Sequence, residues 1–164
     1  MTRIFVGLGS NIQKPMDQLS IAYRHLDDHA LLETLQVSRV YLSSPMGPTD
    51  QPDFYNAAVQ IQTRLEPIAL LRELQQIEQR MGRVNTRHWG ERCIDLDLLL
   101  FDDLVLESCG LQLPHPRAHE RCFVLDPLIE LVGEEYPFPG KGTLGQLRSR
   151  CGEQTIRVLC EFPD

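Results

Sequence analysis

Apolar and polar positions divide this chain into alternating strand-like and helix-like stretches. Ile4 to Leu8 predicts a first strand that closes at Gly9-Ser10-Asn11. The glycines of Gly7-Leu8-Gly9 suit a tight strand-to-helix turn, with ligand contact as the alternative. They do not form Gly-x-Gly-x-x-Gly, so a dinucleotide fold is not indicated. Pro15 and Asp17 then open a helix with Met16, Leu19, Tyr23 and Leu26 at helical spacing. Leu35 to Leu42 and Asn56 to Thr63 predict two strands, the second alternating Ala57, Val59, Ile61 and Thr63. Glu66-Pro67 opens a second helix with the stripe Ile68, Leu71, Leu74, Ile77 and Met81, ending near Gly82. Ile94 to Phe101 predicts a fourth strand. The order β-α-β-β-α-β is the ferredoxin-like pattern: an α+β fold with an antiparallel sheet and helices on one face. Phe123 to Val132 and Thr143 to Cys151 read as further helices and Thr155 to Cys160 as a last strand, a C-terminal extension. No repeat or linker interrupts the chain, so residues 1–164 are expected to form one domain. Two long connections, 43–54 and 83–93, are candidates for functional loops.

The fourth strand carries the most informative chemistry. Side chains alternate across a strand, so Asp95 and Asp97 project from one face, roughly 6.5–7 Å apart at Cα. Ile94, Leu96, Leu98 and Leu100 are expected on the other face, while the Asp face continues into Leu99 and Phe101. Two carboxylates side by side repel unless something positive sits between them. A solvated surface is one resolution and a divalent metal is the other. Magnesium, held through one or two carboxylates together with substrate phosphates, suits an all-oxygen pair better than zinc.

Composition narrows the setting. The balance of 42% apolar and 24% charged residues is that of a globular chain, and no apolar run is long enough to span a bilayer. The N-terminus enters the first strand without a signal peptide's apolar region, which points to the cytoplasm. Five cysteines, odd in number and without Cys-x-x-Cys, suggest neither a disulfide framework nor zinc; Cys93 reads as a small buried residue. A net charge of −7 argues against nucleic acid and anionic membranes as partners. Arginines nonetheless concentrate at Arg80, Arg83, Arg87, Arg92, Arg117 and Arg121, and guanidinium groups suit bidentate contact with phosphate.

Three further segments add candidates. Ser44 to Asn56 is a proline-stiffened loop, and Phe54 and Asn56 lie where it meets a strand. An Asn amide offers donor and acceptor to a heterocycle's amide edge, and an aromatic ring can stack on it. Glu78 to Asp97 holds Arg83, Trp89, Arg92 and the Asp pair. Leu113 to Leu128 holds His115 and His119, whose spacing in a proline-containing loop is poor for zinc but serviceable for phosphate.

Together these segments resemble the 6-hydroxymethyl-7,8-dihydropterin pyrophosphokinase family. The resemblance rests on Gly-Ser-Asn at 9–11, Gly-Pro…Gln-Pro-Asp-Phe at 47–54, Asn-Ala-Ala-Val at 56–59 and Arg-x-Ile-Asp-Leu-Asp at 92–97. Pro-His-Pro-Arg at 114–117 and Glu-Arg-x-Phe-Val-Leu-x-Pro-Leu at 120–128 complete the series over residues 3 to about 131. The resemblance implies a ferredoxin-like fold and transfer of pyrophosphate from ATP to the pterin hydroxymethyl group in folate biosynthesis. It implies two magnesium ions on Asp95 and Asp97, with Arg83 and Arg92 also catalytic. Gln75, Glu78, Trp89, Arg92, His115 and Arg121 would face ATP, with Trp89 in a closing loop. Met46, Phe54, Asn56 and Phe123 would hold the pterin. The chain is expected to act alone, as a cytoplasmic monomer with these two small-molecule substrates. A metal-dependent phosphohydrolase, an inactive ligand-binding relative and an RNA-binding ferredoxin-like module are the competing readings, the last disfavoured by charge.

Overall fold

The computed structural model describes residues 3–45, 47–82, 93–108, 110–152 and 155–163. The central sheet is built from β1 (Ile4–Ser10), β2 (Leu32–Val37), β3 (Val40–Ser43), β4 (Phe54–Thr63) and β5 (Asp95–Phe101). Helix α1 (Pro15–Asp27) follows β1, and α2 (Pro67–Arg80) follows β4. Short strands β6 (Leu106–Ser108) and β7 (Leu111–Leu113) lead to a single helical turn at Ala118–Glu120 and then α3 (Cys122–Val132). The chain ends with β8 (Pro137–Phe138), β9 (Gly142–Thr143), α4 (Leu144–Arg150) and β10 (Ile156–Cys160). The sheet order is β10-β3-β4-β1-β5, with β2 beside the far half of β4 and every pairing antiparallel. This is the ferredoxin-like order extended by one strand.

Both faces of the sheet are covered, a difference from the one-sided expectation. Ile4, Val6, Leu8, Val59, Ile61, Leu96 and Leu98 pack against Leu19, Ala22 and Leu26 of α1 and Leu70, Leu74 and Ile77 of α2. The stripe of α2 gains Leu70, which is fully buried, while Ile68, Leu71 and Met81 lie at its margin. On the opposite face, Phe5, Ala58, Leu99 and Leu100 pack against Val124, Leu125 and Leu128 of α3 and Leu144 and Leu147 of α4.

Three local expectations are corrected. The stretch 35–42 is not one strand, because it breaks at Ser38-Arg39. There the Ser38 hydroxyl accepts the Ala58 N–H at 2.9 Å, standing in for a backbone carbonyl, and the Arg39 N–H turns to Glu130 at 2.9 Å. Gly7 and Gly9 do not form a turn: β1 runs through Ser10, and the chain turns at Gln13 and Lys14, both with positive φ. Finally, Phe5 pairs with Leu100 but Val6 with Leu98, so β5 carries a bulge. The extra residue puts Leu99 and Leu100 on the same face and sends Phe101 to the other, reversing the expected places of Leu100 and Phe101. Cys93 is buried, as expected. No helix among the described residues is long and apolar enough to cross a membrane.

Candidate active site

The face shared with α3 changes character along its length. On β1 the residues facing that side are Phe5, Gly7 and Gly9; on β4 they are Gln60, Ala58 and Asn56. On β5 they run from Leu99 to Asp97 and Asp95. Bulky side chains at one end receive α3, whereas glycine and polar residues at the other leave a trough. The register sets Gly9 opposite Asp95 on one side and Asn56 on the other. The resulting cavity has a volume of about 420 Å³.

One wall is β5 with α2. Asp95 and Asp97 both line the cavity, in agreement with strand alternation. Leu71, Gln75 and Glu78 reach it from one side of α2. Glu78 is buried, and its Oε2 accepts the Leu96 N–H at 2.8 Å. That bond occupies the backbone between the two aspartates, so Glu78 fixes the strand that presents them.

The opposite wall is β4 with the loop before it. Asn56 is 5% exposed, and its Nδ2 donates to Ser43 Oγ at 2.8 Å and to the Phe54 carbonyl at 3.3 Å. Those donations assign the amide, leaving Oδ1 on the side of Gly9 as an acceptor. Phe54 also lines the cavity. The loop is tied down by Asn11, whose Nδ2 donates to Gln51 Oε1 at 2.9 Å and to the Pro52 carbonyl at 3.0 Å.

The rim comes from the segment that caps β5 and starts α3. The His115 N–H donates to the Leu99 carbonyl at 3.0 Å, and His115 Nδ1 accepts the Arg117 N–H at 3.3 Å. Burial, with the Arg121 and Arg117 charges and against the pull of Asp95, lowers the His115 pKa to about 4. At neutral pH the ring is therefore uncharged, with its proton on Nε2, a donor for an anionic oxygen. Arg121 places its guanidinium 5.5 Å from the centre of the Phe123 ring, and both line the cavity.

Asp95, Asp97, Gln75, Glu78, His115 and Arg121 thus share one cavity with Phe54, Asn56 and Phe123. Met46, Arg83, Trp89 and Arg92 lie outside the described residues. Sequence reasoning placed Arg117 only among the clustered arginines suited to phosphate, Leu71 only in the apolar stripe of its helix, and Gly7 and Gly9 in a turn with ligand contact as the alternative; all of them line the cavity. Arg117 lay inside the quoted Pro-His-Pro-Arg segment, and its position beside His115 was the available signal.

Among the described residues no group of three or more His, Cys, Asp or Glu is placed to hold a metal ion. Two hard oxygen ligands without a third fit magnesium, which keeps its waters and takes phosphate oxygens, and do not fit a structural zinc.

The chain is 41% identical to the 2-amino-4-hydroxy-6-hydroxymethyldihydropteridine pyrophosphokinase of Haemophilus influenzae over 134 residues, 82% of this chain and 84% of that one. It is 38% identical to the Pseudomonas aeruginosa protein of the same name over 157 residues, 96% of each chain. Among solved structures it resembles Plasmodium falciparum HPPK-DHPS with pteroate, at a TM-score of 0.72 and 16% identity. That match covers 92% of this chain but only 42% of the longer Plasmodium chain, and it speaks for the fold alone. The family model described as 7,8-dihydro-6-hydroxymethylpterin-pyrophosphokinase (HPPK) matches residues 5–133. With that span of the chain matched, the protein belongs to the 7,8-dihydro-6-hydroxymethylpterin-pyrophosphokinase family.

Proposed function

We propose that this chain transfers the terminal diphosphate of ATP to the hydroxymethyl group of 6-hydroxymethyl-7,8-dihydropterin, in folate biosynthesis. The pterin hydroxyl oxygen forms a bond to the β-phosphorus, and the bond from that phosphorus to the α,β-bridging oxygen breaks. AMP leaves with the bridging oxygen, the hydroxyl proton is released, and the dihydropterin diphosphate ester remains. Family membership supports the reaction; the observation that carries it in this molecule is one trough with different chemistry at its two walls. A carboxylate pair stands on β5, and an oriented amide acceptor stands on β4 near Phe54, with Phe123 also lining the cavity.

The residues divide accordingly. Asn56 Oδ1 accepts from the heterocycle's N–H edge, while Phe54 and Phe123 contact its faces. His115 donates from Nε2 to a phosphate oxygen, and Arg121 adds a fixed positive charge. Asp95 and Asp97 would hold two magnesium ions with the triphosphate, which would neutralise charge at the transferring group. Glu78 keeps both aspartates aimed by holding the Leu96 N–H. Gln75 faces the nucleotide from α2. Arg83 and Arg92 are proposed as further phosphate contacts, Trp89 as a cover over the nucleotide and Met46 as a pterin contact. With reactants held and water excluded, catalysis is mostly positioning and electrostatics. We expect a monomer acting in the cytoplasm.

The test is AMP formation from ATP and magnesium, with and without 6-hydroxymethyl-7,8-dihydropterin. Pterin-dependent AMP is the expected result. Phosphate release without pterin would replace this reading with the phosphohydrolase, and a folded but silent protein would replace it with an inactive relative.

A further inference from the structure

We propose that Gly9 is a specificity-determining position, its missing side chain being the space through which the flat substrate passes between Asn56 and Asp95. The proposal rests on the pterin reading above and adds a residue to it. Glycine weakens a strand, so its presence within β1, one residue before the strand's end and paired on both sides, calls for a reason. Three reasons are available: backbone conformation, packing within the protein, or room for something else.

Conformation does not require it. Gly9 is not among the positive-φ glycines, so an L residue can adopt the same backbone. Packing does not require it either. A Cβ built at Gly9 would have one neighbour within 4 Å, Asn56 Oδ1 at 3.4 Å, an ordinary van der Waals contact. Gly7, two residues earlier on the same face, is different: its Cβ would come within 3.3 Å of Leu99 Cδ1, so the core already accounts for part of that glycine.

Room for a ligand remains. Gly9 pairs with Asp95 on one side and Asn56 on the other, so it is the floor between the two walls. Two strand spacings put those walls about 10 Å apart at the backbone, a span that a bicyclic ring with a one-carbon arm can bridge. A methyl group on this floor would lift the ring from Asn56 Oδ1 or push the hydroxyl out of line with the phosphates. The nucleotide, held at the Asp95 end and the rim, need not cross Gly9. The position therefore acts on pterin and not on ATP, and it selects flat substrates over ones bulky on that face.

The test is Gly9→Ala in the full chain, compared with the parent in three measurements. Thermal unfolding without ligand should give an equal or higher Tm, because alanine restricts the unfolded chain and clashes with nothing. The Kd for α,β-methylene-ATP with magnesium should stay within about twofold. The KM for 6-hydroxymethyl-7,8-dihydropterin should rise about tenfold or more, the scale of a methyl group forced into a filled site. A pterin KM within about twofold of the parent would overturn the proposal. So would a nucleotide Kd that rises in step with the pterin KM, or a Tm lower by more than about 5 °C, which would make Gly9 a structural residue. A parent with no pterin-dependent AMP formation would be a different failure, removing the functional reading itself and this proposal with it.

Discussion

Asp97 faces the cavity from a strand whose other face belongs to the core with α2, so its carboxylate can be altered without touching that core. Asp97→Asn should keep the far-UV spectrum of the parent while lowering pterin-dependent AMP formation about 10²–10³-fold, the scale of losing one preorganised electrostatic contact. Retained turnover would remove the carboxylate pair from its role. His115 gives a pH signature. Its folded pKa of about 4 lies below the unfolded value near 6.5, so the unfolded chain takes up a proton first as pH falls. The stability it contributes is complete above pH 6.5 and is lost as pH falls towards 4. His115→Gln should therefore show a shallower decline of Tm between these values than the parent, and parallel declines would place the acid sensitivity elsewhere. Asp95, Asp97 and Asn56 were legible in sequence because strand alternation alone decides which way they face. The glycines allowed a ligand-contact reading beside the turn, but sequence could not choose between them, since a glycine's role is set by its cross-strand partners.

The elements meet through a few polar ties that periodicity cannot reveal. Glu130 on α3 accepts from the Arg39 N–H at 2.9 Å, from Arg39 Nε at 3.1 Å and from the Tyr41 hydroxyl at 2.6 Å. Burial, and then the Glu130 carboxylate, push the Tyr41 phenol further from ionisation, so the hydroxyl remains a donor throughout the ordinary pH range. Glu130→Ala should cost about 1–3 kcal/mol, read as a lower denaturation midpoint with an unchanged slope, because it strands a buried donor at Tyr41. An unchanged midpoint would show that apolar contacts alone seat α3 on the sheet. Strand existence was legible from Val, Ile and Leu spacing, but the break at Ser38 was not. Val40, Tyr41 and Leu42 continue the apolar run, and only the partner strand shows that the Ser38 hydroxyl replaces a carbonyl. The bulge in β5 was hidden for the same reason: register belongs to a pair of strands.

For the whole molecule, the tail outside the family match is part of the core. Phe138, Leu144 and Leu147 are at most 4% exposed, and β10 pairs with β3. Helix α4 is capped by Thr143 and Gln146, which exchange hydrogen bonds, and is joined to α3 by Arg148 Nε and Asp126 Oδ1 at 2.6 Å. Each buried apolar side chain is worth about 1.5–3 kcal/mol, and a domain's whole stability is about 5–15 kcal/mol. Deleting residues 134–164 should abolish cooperative thermal unfolding, although the cavity-lining residues all precede the cut. A truncated protein that melts cooperatively near the parent's Tm would contradict this.

The two ends of the sheet are finished differently. An exposed terminal strand is a template on which other chains can pair and aggregate. At β5 two of the edge groups are already engaged, the Leu96 N–H by Glu78 and the Leu99 carbonyl by the His115 N–H. At the other end, β10 leaves Arg157, Val158 and Cys160 exposed. The groups that aim the aspartates and shape the rim thus also blunt the sheet beside the cavity. Strand-on-strand growth under stress is then expected away from the cavity, at the β10 edge three strands from Gly9 on β1 or at β2, which pairs with β4 alone.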